Sequence, residues 1–340
     1  MFNRKHLAYL AYLIAFAAAS YIALKLTTVG WNFLAPSYPA GHAPASSPEK
    51  LKKTVTDLAS DIGPRDVFRN NLDKLRRAEV YIAGRLAAAG YKVEFQEFPA
   101  AGTVARNIIA SKPGLSAGGG IILVGAHYDT YDNPGADDNA SGVACLLDLA
   151  EYAAAGRYEK TLVFAAFANE EPPFFKTAGM GSEVYARAAR ARGDDIRAAV
   201  ILEMTGYFTE RRISQRYPPL IGPFMPGRGN FIAQIANFPS RELAGEIDAA
   251  FRAASPLPLR TMALPSAVPG VDFSDHRSFW NTGYRAVMFT DTAFYRNRNY
   301  HLDSDLPDTL NYAYMAAFMD GLKGALWKLA GETGQRTAKK

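Results

Sequence analysis

Two histidines and a set of carboxylates stand at or just beyond the ends of short apolar runs: His127 with Asp129, Asp137 with Asp138, Glu170 with Glu171, Glu203, and His301. Imidazole and carboxylate without thiolate form a donor set suited to Zn²⁺, or less selectively to another divalent first-row ion. One metal with three ligands would leave several of these carboxylates crowded, with pKa values raised by mutual repulsion. Two metals would neutralise them. Each residue alone is ordinary, since a histidine after a strand is a common polar terminus and Glu170-Glu171 reads as a solvated loop pair. Taken together they ask for metal chemistry, in which a carbonyl is polarised and a water activated between two cations.

The elements that must position these groups can be read from the pattern. In IILVGAHYDTYDNPGADDNASG, the apolar run Ile121–Val124 fits a strand buried on both faces of a parallel sheet. Ser141 then caps a helix whose apolar positions Val143, Leu146, Leu147 and Ala150 have helical spacing. TLVFAAFANEE is a second buried strand that ends on Glu170 and Glu171, with Pro172 and Pro173 forbidding immediate helix. AAVILEMTGYF is a third that ends on Glu203, and Ala286–Thr290 a final one whose following loop delivers His301. Charged groups collect at the carboxyl rim, where open α/β sheets bind ligands. YKVEFQEF alternates as an edge strand, and helices are expected over Pro48–Gly63, around Leu75–Leu86, Ser182–Arg192, Phe231–Asn237, Arg241–Ala253 and Pro307–Leu329. Residues 208–230, rich in Pro and Gly, read as a long binding loop or lid.

At 340 residues with 49% hydrophobic and 21% charged, the chain has globular composition and length for a large core. The net charge of +5 is spread without a dense basic run, so nucleic-acid binding is not supported. Cys145 is the only cysteine, which excludes an intrachain disulfide, and its place on a helix face suits a small buried residue.

In order and spacing, AHYDT, GADDNASG, ANEE, LEMTGYF and FTDTAFYRNRNYHLDSDLPDTLNY resemble the M28-type co-catalytic zinc exopeptidases. That group also contains zinc glutaminyl cyclases and the non-enzymatic transferrin receptors. The resemblance implies a three-layer α/β/α sandwich around a mixed, mostly parallel sheet, and aminopeptidase activity on peptides with two Zn²⁺ per chain. It implies that His127 and Glu203 hold one metal, Glu171 and His301 the other, and that Asp138 bridges them. Asp138 is chosen over Asp137 because it is the Asp followed by Asn-x-Ser-Gly. Asp129 would orient the His127 ring and Glu170 would be the general base. Tyr300 and His276 are positional candidates for an oxyanion donor, while Arg211, Arg212 and Arg216 read as solvating the long loop. Glu203 departs from the Asp that many members carry, and Arg298 and Asn299 replace a Pro-His of close bacterial members. A cyclase on one zinc and a receptor-like binding module are the alternatives.

Ahead of this body, the basic MFNRKH and the uncharged run Leu7–Leu24 read as a membrane anchor over residues 1–26, with cleavage as a signal peptide after Ala17–Ala19 the competing reading. Arg4 and Lys5 would stay cytoplasmic, which places a linker over 27–50, the peptidase-like domain over 51–331 and a polar tail over 332–340 outside the cytoplasm.

Overall fold

A computed structural model describes residues 43–218, 225–331 and 333, together with 9, 11–16, 18–19 and 28–29. Apolar runs of five to eight residues build the centre of one sheet. In chain order the strands are β1 (Thr28–Val29), β2 (Lys92–Ala100), β3 (Thr103–Lys112), β4 (Ile121–His127), β5 (Thr161–Phe167), β6 (Ile196–Glu203), β7 (Ile232–Ala236), β8 (Leu259–Ala263) and β9 (Ala286–Thr290). Their order across the sheet is β1-β8-β7-β9-β6-β4-β5-β3-β2. The central neighbours β9, β6, β4 and β5 are mutually parallel, as their unbroken apolar sequences require. Both flanks turn antiparallel: β3 runs against β5 and β2 against β3 on one side, and β7 against β9 on the other. The sheet is therefore mixed, and its parallel character belongs mainly to the centre.

Alternation along the strands sorts side chains onto two faces. Ile122, Val124 and Ala126 of β4 join a core with the helices Pro48–Thr56, Leu72–Ala88, Gly142–Ala154, Arg241–Ala254 and Tyr312–Ala330. Leu123 of β4 and Ile201 of β6 face the opposite way, against Gly181–Arg192 and His276–Asn281. By the same period His127 and Glu203 belong to this second face, where among the described residues those two helices lie and loops supply the rest of the cover. The fold is thus a three-layer α/β/α sandwich with its chemistry on the thinly covered side.

Several expectations are corrected. Phe231–Asn237, expected as helix, contains β7: five residues with Gln234 at their centre fit either period, and their place between β8 and β9 makes them a strand. β8 falls in the stretch between Ala253 and His276, for which the sequence pattern offers no regular element. Ser141 does not cap the helix after it. Its Oγ donates to the Asp137 carbonyl (2.8 Å), and the Asn139 side chain accepts from the Gly142 N–H instead (3.1 Å). The first helix widens into a π turn over Asp57–Ile62 before Gly63, and the last helix starts at Tyr312, after a separate short turn at Pro307–Thr309.

At the amino end, Thr28 and Val29 pair with Met262 and Thr261 inside the expected linker. Ala45 and Ser46 are tied by backbone N–H groups to the Asp320 carboxylate of the last helix, just ahead of Ser47. Most of the run Leu7–Leu24 lies outside the described residues, as does 219–224 of the long loop. No helix among the described residues is long and apolar enough to cross a membrane.

Candidate metal centre

His127 ends β4, Glu203 ends β6, and Glu170 and Glu171 follow β5 by three and four residues. Parallel pairing in register brings these three strand ends side by side. The bridging loop and the loop after β9 add Asp138 and His301. The His127 Nε2 lies 3.3 Å from Asp138 Oδ1 and 3.3 Å from Glu203 Oε2, and the His301 Nε2 lies 3.2 Å from Asp138 Oδ2 and 3.2 Å from Glu171 Oε2. The two carboxylate oxygens of Asp138 thus face different imidazoles. Two ligand groups result, His127–Asp138–Glu203 and Asp138–Glu171–His301, and they share only Asp138.

The residues present fit a metal pair. His127 Nε2, His301 Nε2 and Glu171 Oε1 are buried and make no hydrogen bond, an expensive arrangement unless a cation completes it. The His127 Nδ1 sits 3.2 Å from the Asp129 carbonyl and 3.5 Å from its carboxylate, both acceptors for an Nδ1–H, which leaves Nε2 as the ring atom that faces the centre. Asp129 also accepts from the Glu170 and Glu171 N–H groups, each at 3.1 Å. One carboxylate therefore aims a ligand and fixes the backbone of the adjacent acid pair.

Burial opposes the charge of Asp138 but is outweighed by His127 and His301, which hold Asp138 below the ordinary carboxylate range, whereas burial dominates for the glutamates after β5. It pushes Glu170 well above the ordinary carboxylate range, with Glu203 and Glu171 adding to it and the charge of His127 opposing. Burial and the charge of Asp138 lift Glu171 to about 8. For His301 burial acts the other way but is outweighed by Asp138 and Glu171, which raise it to about 10. Negative charge is in excess on this rim, as a site for divalent cations requires.

Asp137 is turned away. Its Oδ1 accepts from the Gly206 N–H (2.9 Å) and its Oδ2 from the Asn297 amide (2.7 Å), so it secures the loop and leaves the centre to Asp138. Tyr300 stays beside the site with its ring stacked on His301 at 3.8 Å, and Tyr131 stacks on His301 at 4.6 Å. His276 is not brought there. Its Nε2 lies 2.7 Å from the Val271 carbonyl and its ring packs on Trp280, and burial lowers it to about 4.

Three supporting residues escaped the sequence reading. Asp305 accepts from the N–H groups of Asp137 (3.0 Å) and Asp138 (3.1 Å) and so sets the bridging backbone. Its signal was available, four residues after His301 in HLDSD. Ser274 donates to Glu203 Oε2 at 2.7 Å. Arg65, fully buried, donates to the carbonyls of Tyr128, Leu58, Gly63 and Pro134, and a lone Arg after Gly63-Pro64 gives no sign of that. Gly135, next to Pro134, has φ +59°, and a Cβ there would meet the Asp138 carbonyl at 2.3 Å.

The sequence matches Peptidase family M28 over residues 107–325, a span that contains every ligand above. The chain belongs to peptidase family M28. It is 39% identical over 302 residues to YfbL of Escherichia coli, covering 86% of this chain and 90% of that one. A probable leucine aminopeptidase of Arthroderma otae is 26% identical over 240 residues, and the match covers 66% of this M28 chain and 57% of the fungal one. The zinc aminopeptidase BSAP of Bacillus subtilis superposes with a TM-score of 0.64 at 14% identity over 88% of this chain and 98% of its own, a likeness of fold. The M28 matches span the strands and loops that carry the two ligand groups, which is where five sequence fragments had pointed.

Proposed function

We propose that this M28 chain is a zinc-dependent aminopeptidase that releases the amino-terminal residue of peptides, with two metals held by His127, Asp138, Glu171, Glu203 and His301. The observation that carries the reading is Asp138, whose two oxygens face His127 and His301 separately at 3.3 and 3.2 Å. A zinc pair bound there supplies Lewis-acid polarisation of the scissile carbonyl and lowers the pKa of the attacking water. Glu170 is the general base. It lies in the acidic cluster without belonging to either ligand group, and burial raises its affinity for a proton. A carboxyl so raised takes a proton from water and returns it to the leaving amine at neutral pH. Asp129 orients the His127 ring and holds the Glu170 backbone in place.

The same proposal places the domain outside the cytoplasm, tethered by the amino-terminal segment. Its support is the uncharged run Leu7–Leu24 behind Arg4 and Lys5, and the exposed Tyr12, Leu13, Ile14 and Phe16 within it.

The deciding experiment is metal content per purified full chain, paired with products released from a mixed peptide library. Two zincs with release of amino-terminal residues is the expected result. One zinc with pyroglutamate formation would replace the aminopeptidase by a cyclase, and no metal with no product would leave a binding module. Fractionation of the full chain with membranes tests the anchor, and a soluble chain with a new terminus near Ser20 would overturn it.

A further inference from the structure

The register of the sheet carries the metal centre sideways into a pocket. Glu203 of β6 pairs with Thr290 of β9, Thr290 with Ala233 of β7, and Ala233 with Arg260 of β8. Paired residues share a face, so the four form one row on the thinly covered side. The next row is Ile201, Met288, Ile235 and Met262. At a strand spacing of about 4.8 Å, three steps put Arg260 roughly 14 Å from Glu203 at Cα. Ala233, in the middle, has almost no side chain and leaves the row open above it.

A pocket follows these rows, with Glu203 and Tyr300 at one end, Arg260 and Tyr217 at the other, and Phe273 and Phe294 among its walls. Most of the lining is apolar. Among the described residues its charged members are Glu203, Arg216 and Arg260, and Glu203 is committed to a metal. A third guanidinium stands behind the wall, since Arg296 lies 4.5 Å and Arg260 6.0 Å from the centroid of the Phe231 ring. Burial and the charge of Arg252, itself paired with Asp248 at 2.8 Å, disfavour the cationic form of Arg260, while Tyr217 and Asp248 favour it. A pocket of this kind rewards an anion and rejects a cation, because the interaction is made away from bulk water.

We propose that this pocket receives the side chain of the amino-terminal residue and selects an acidic one, glutamate or aspartate, whose carboxylate meets the Arg260 end. The inference rests on the aminopeptidase reading and deepens it. The dimensions agree: a substrate carbonyl at the metal centre, its Cα and a side chain of a few atoms with a terminal carboxylate span the row up to the guanidinium.

The test is kcat/KM of the zinc-loaded full chain on aminoacyl coumarylamides of Glu, Asp, Leu, Phe and Lys, for the wild type and for Arg260→Met and Arg260→Lys. Glu and Asp are expected to exceed Leu and Phe, with Lys lowest. Loss of a charged hydrogen bond is worth about 10–100-fold, so Arg260→Met should reduce the Glu-to-Leu ratio by that factor, mainly through KM, and Arg260→Lys should recover part of it. A wild type that releases Leu or Phe faster than Glu, or a Glu-to-Leu ratio unchanged in Arg260→Met, overturns the inference alone. No release from any substrate overturns the aminopeptidase reading, and the inference with it.

Discussion

Replacing Arg65 by methionine removes a charge that touches no carboxylate and no metal ligand, yet it should cost more than most core substitutions. Four backbone carbonyls, those of Leu58, Gly63, Tyr128 and Pro134, accept from its guanidinium at 2.7, 2.8, 3.0 and 3.1 Å, and the Gly135 carbonyl is a fifth, weaker acceptor at 3.4 Å. At about 1.5–2 kcal/mol for each of the four shorter bonds from a charged donor, roughly 6–8 kcal/mol is at stake. Burial opposes this, since it lowers the Arg65 pKa from 12.5 to about 10, and removing the charge returns on the order of 3 kcal/mol. The balance is a loss of about 3–5 kcal/mol, a large part of the ~5–15 kcal/mol that holds a typical domain. Urea unfolding of the full chain at neutral pH, with matched metal, measures it as a lowered midpoint at unchanged slope. Because the same guanidinium holds Pro134 beside the bridging loop, the folded fraction should also bind zinc more weakly. A loss under about 1 kcal/mol with normal metal content would refute the reasoning, and would mean that water replaces the guanidinium at no cost.

Glu170→Gln should keep two metals per chain and lose about 10²–10⁴-fold in kcat, the range for a missing general base; metal content and turnover on one sample check both. Asp305→Asn replaces one of the two oxygens that accept from the N–H groups of Asp137 and Asp138 by an amide NH2, so zinc affinity by competition with a chelator should fall about 10–100-fold, as for other groups that orient a ligand. Chelator-treated protein should melt at lower temperature at pH 8 than at pH 5. Burial and acidic neighbours raise Glu171 and Asp305 to about 8 from ordinary values of 4.5 and 3.8, so the metal-free fold keeps protons that the unfolded chain releases. Their stabilisation is complete below about pH 4 and is lost progressively as pH rises to about 8. Restored zinc should reverse the trend, and a melting temperature that is flat or rising over this range without metal would count against it.

The part of the site that lay at strand ends was legible because two independent patterns coincide there. An apolar run long enough to be buried on both faces marks a central strand, and a polar residue directly after it marks the rim. His127, Glu203 and the Glu170-Glu171 pair all carry that double mark. Asp138 needed the family resemblance as well, since Asp137 beside it is equally buried and differs only in which way the loop turns it. β7 and β8 were not legible for a physical reason: at five residues each, with Arg260 and Thr261 inside one of them, they have too few positions for one period to win over the other. Arg65 and Ser274 were hidden by type. Their work is done on backbone and on a ligand brought near by folding, and nothing local in the sequence announces it.

Glu203 shows how a longer ligand can be accommodated without loosening the centre. Compared with an Asp, the extra methylene of Glu203 adds a torsion, and an unrestrained carboxylate would wander relative to its imidazole partner. Here one oxygen, Oε2, is held by Ser274 Oγ, which donates to it at 2.7 Å, and it stands 3.3 Å from His127 Nε2 across the ligand group. Ser274 comes from the segment between β8 and the helix His276–Asn281, so it reaches the rim from outside the strand that bears the glutamate. The added freedom is removed by an added contact, which keeps the ligand within the narrow geometry a metal site needs. The same segment includes Phe273, a wall of the pocket that leads to Arg260. One stretch of chain therefore sets both the position of the Glu203 carboxylate and the shape of the space beside it.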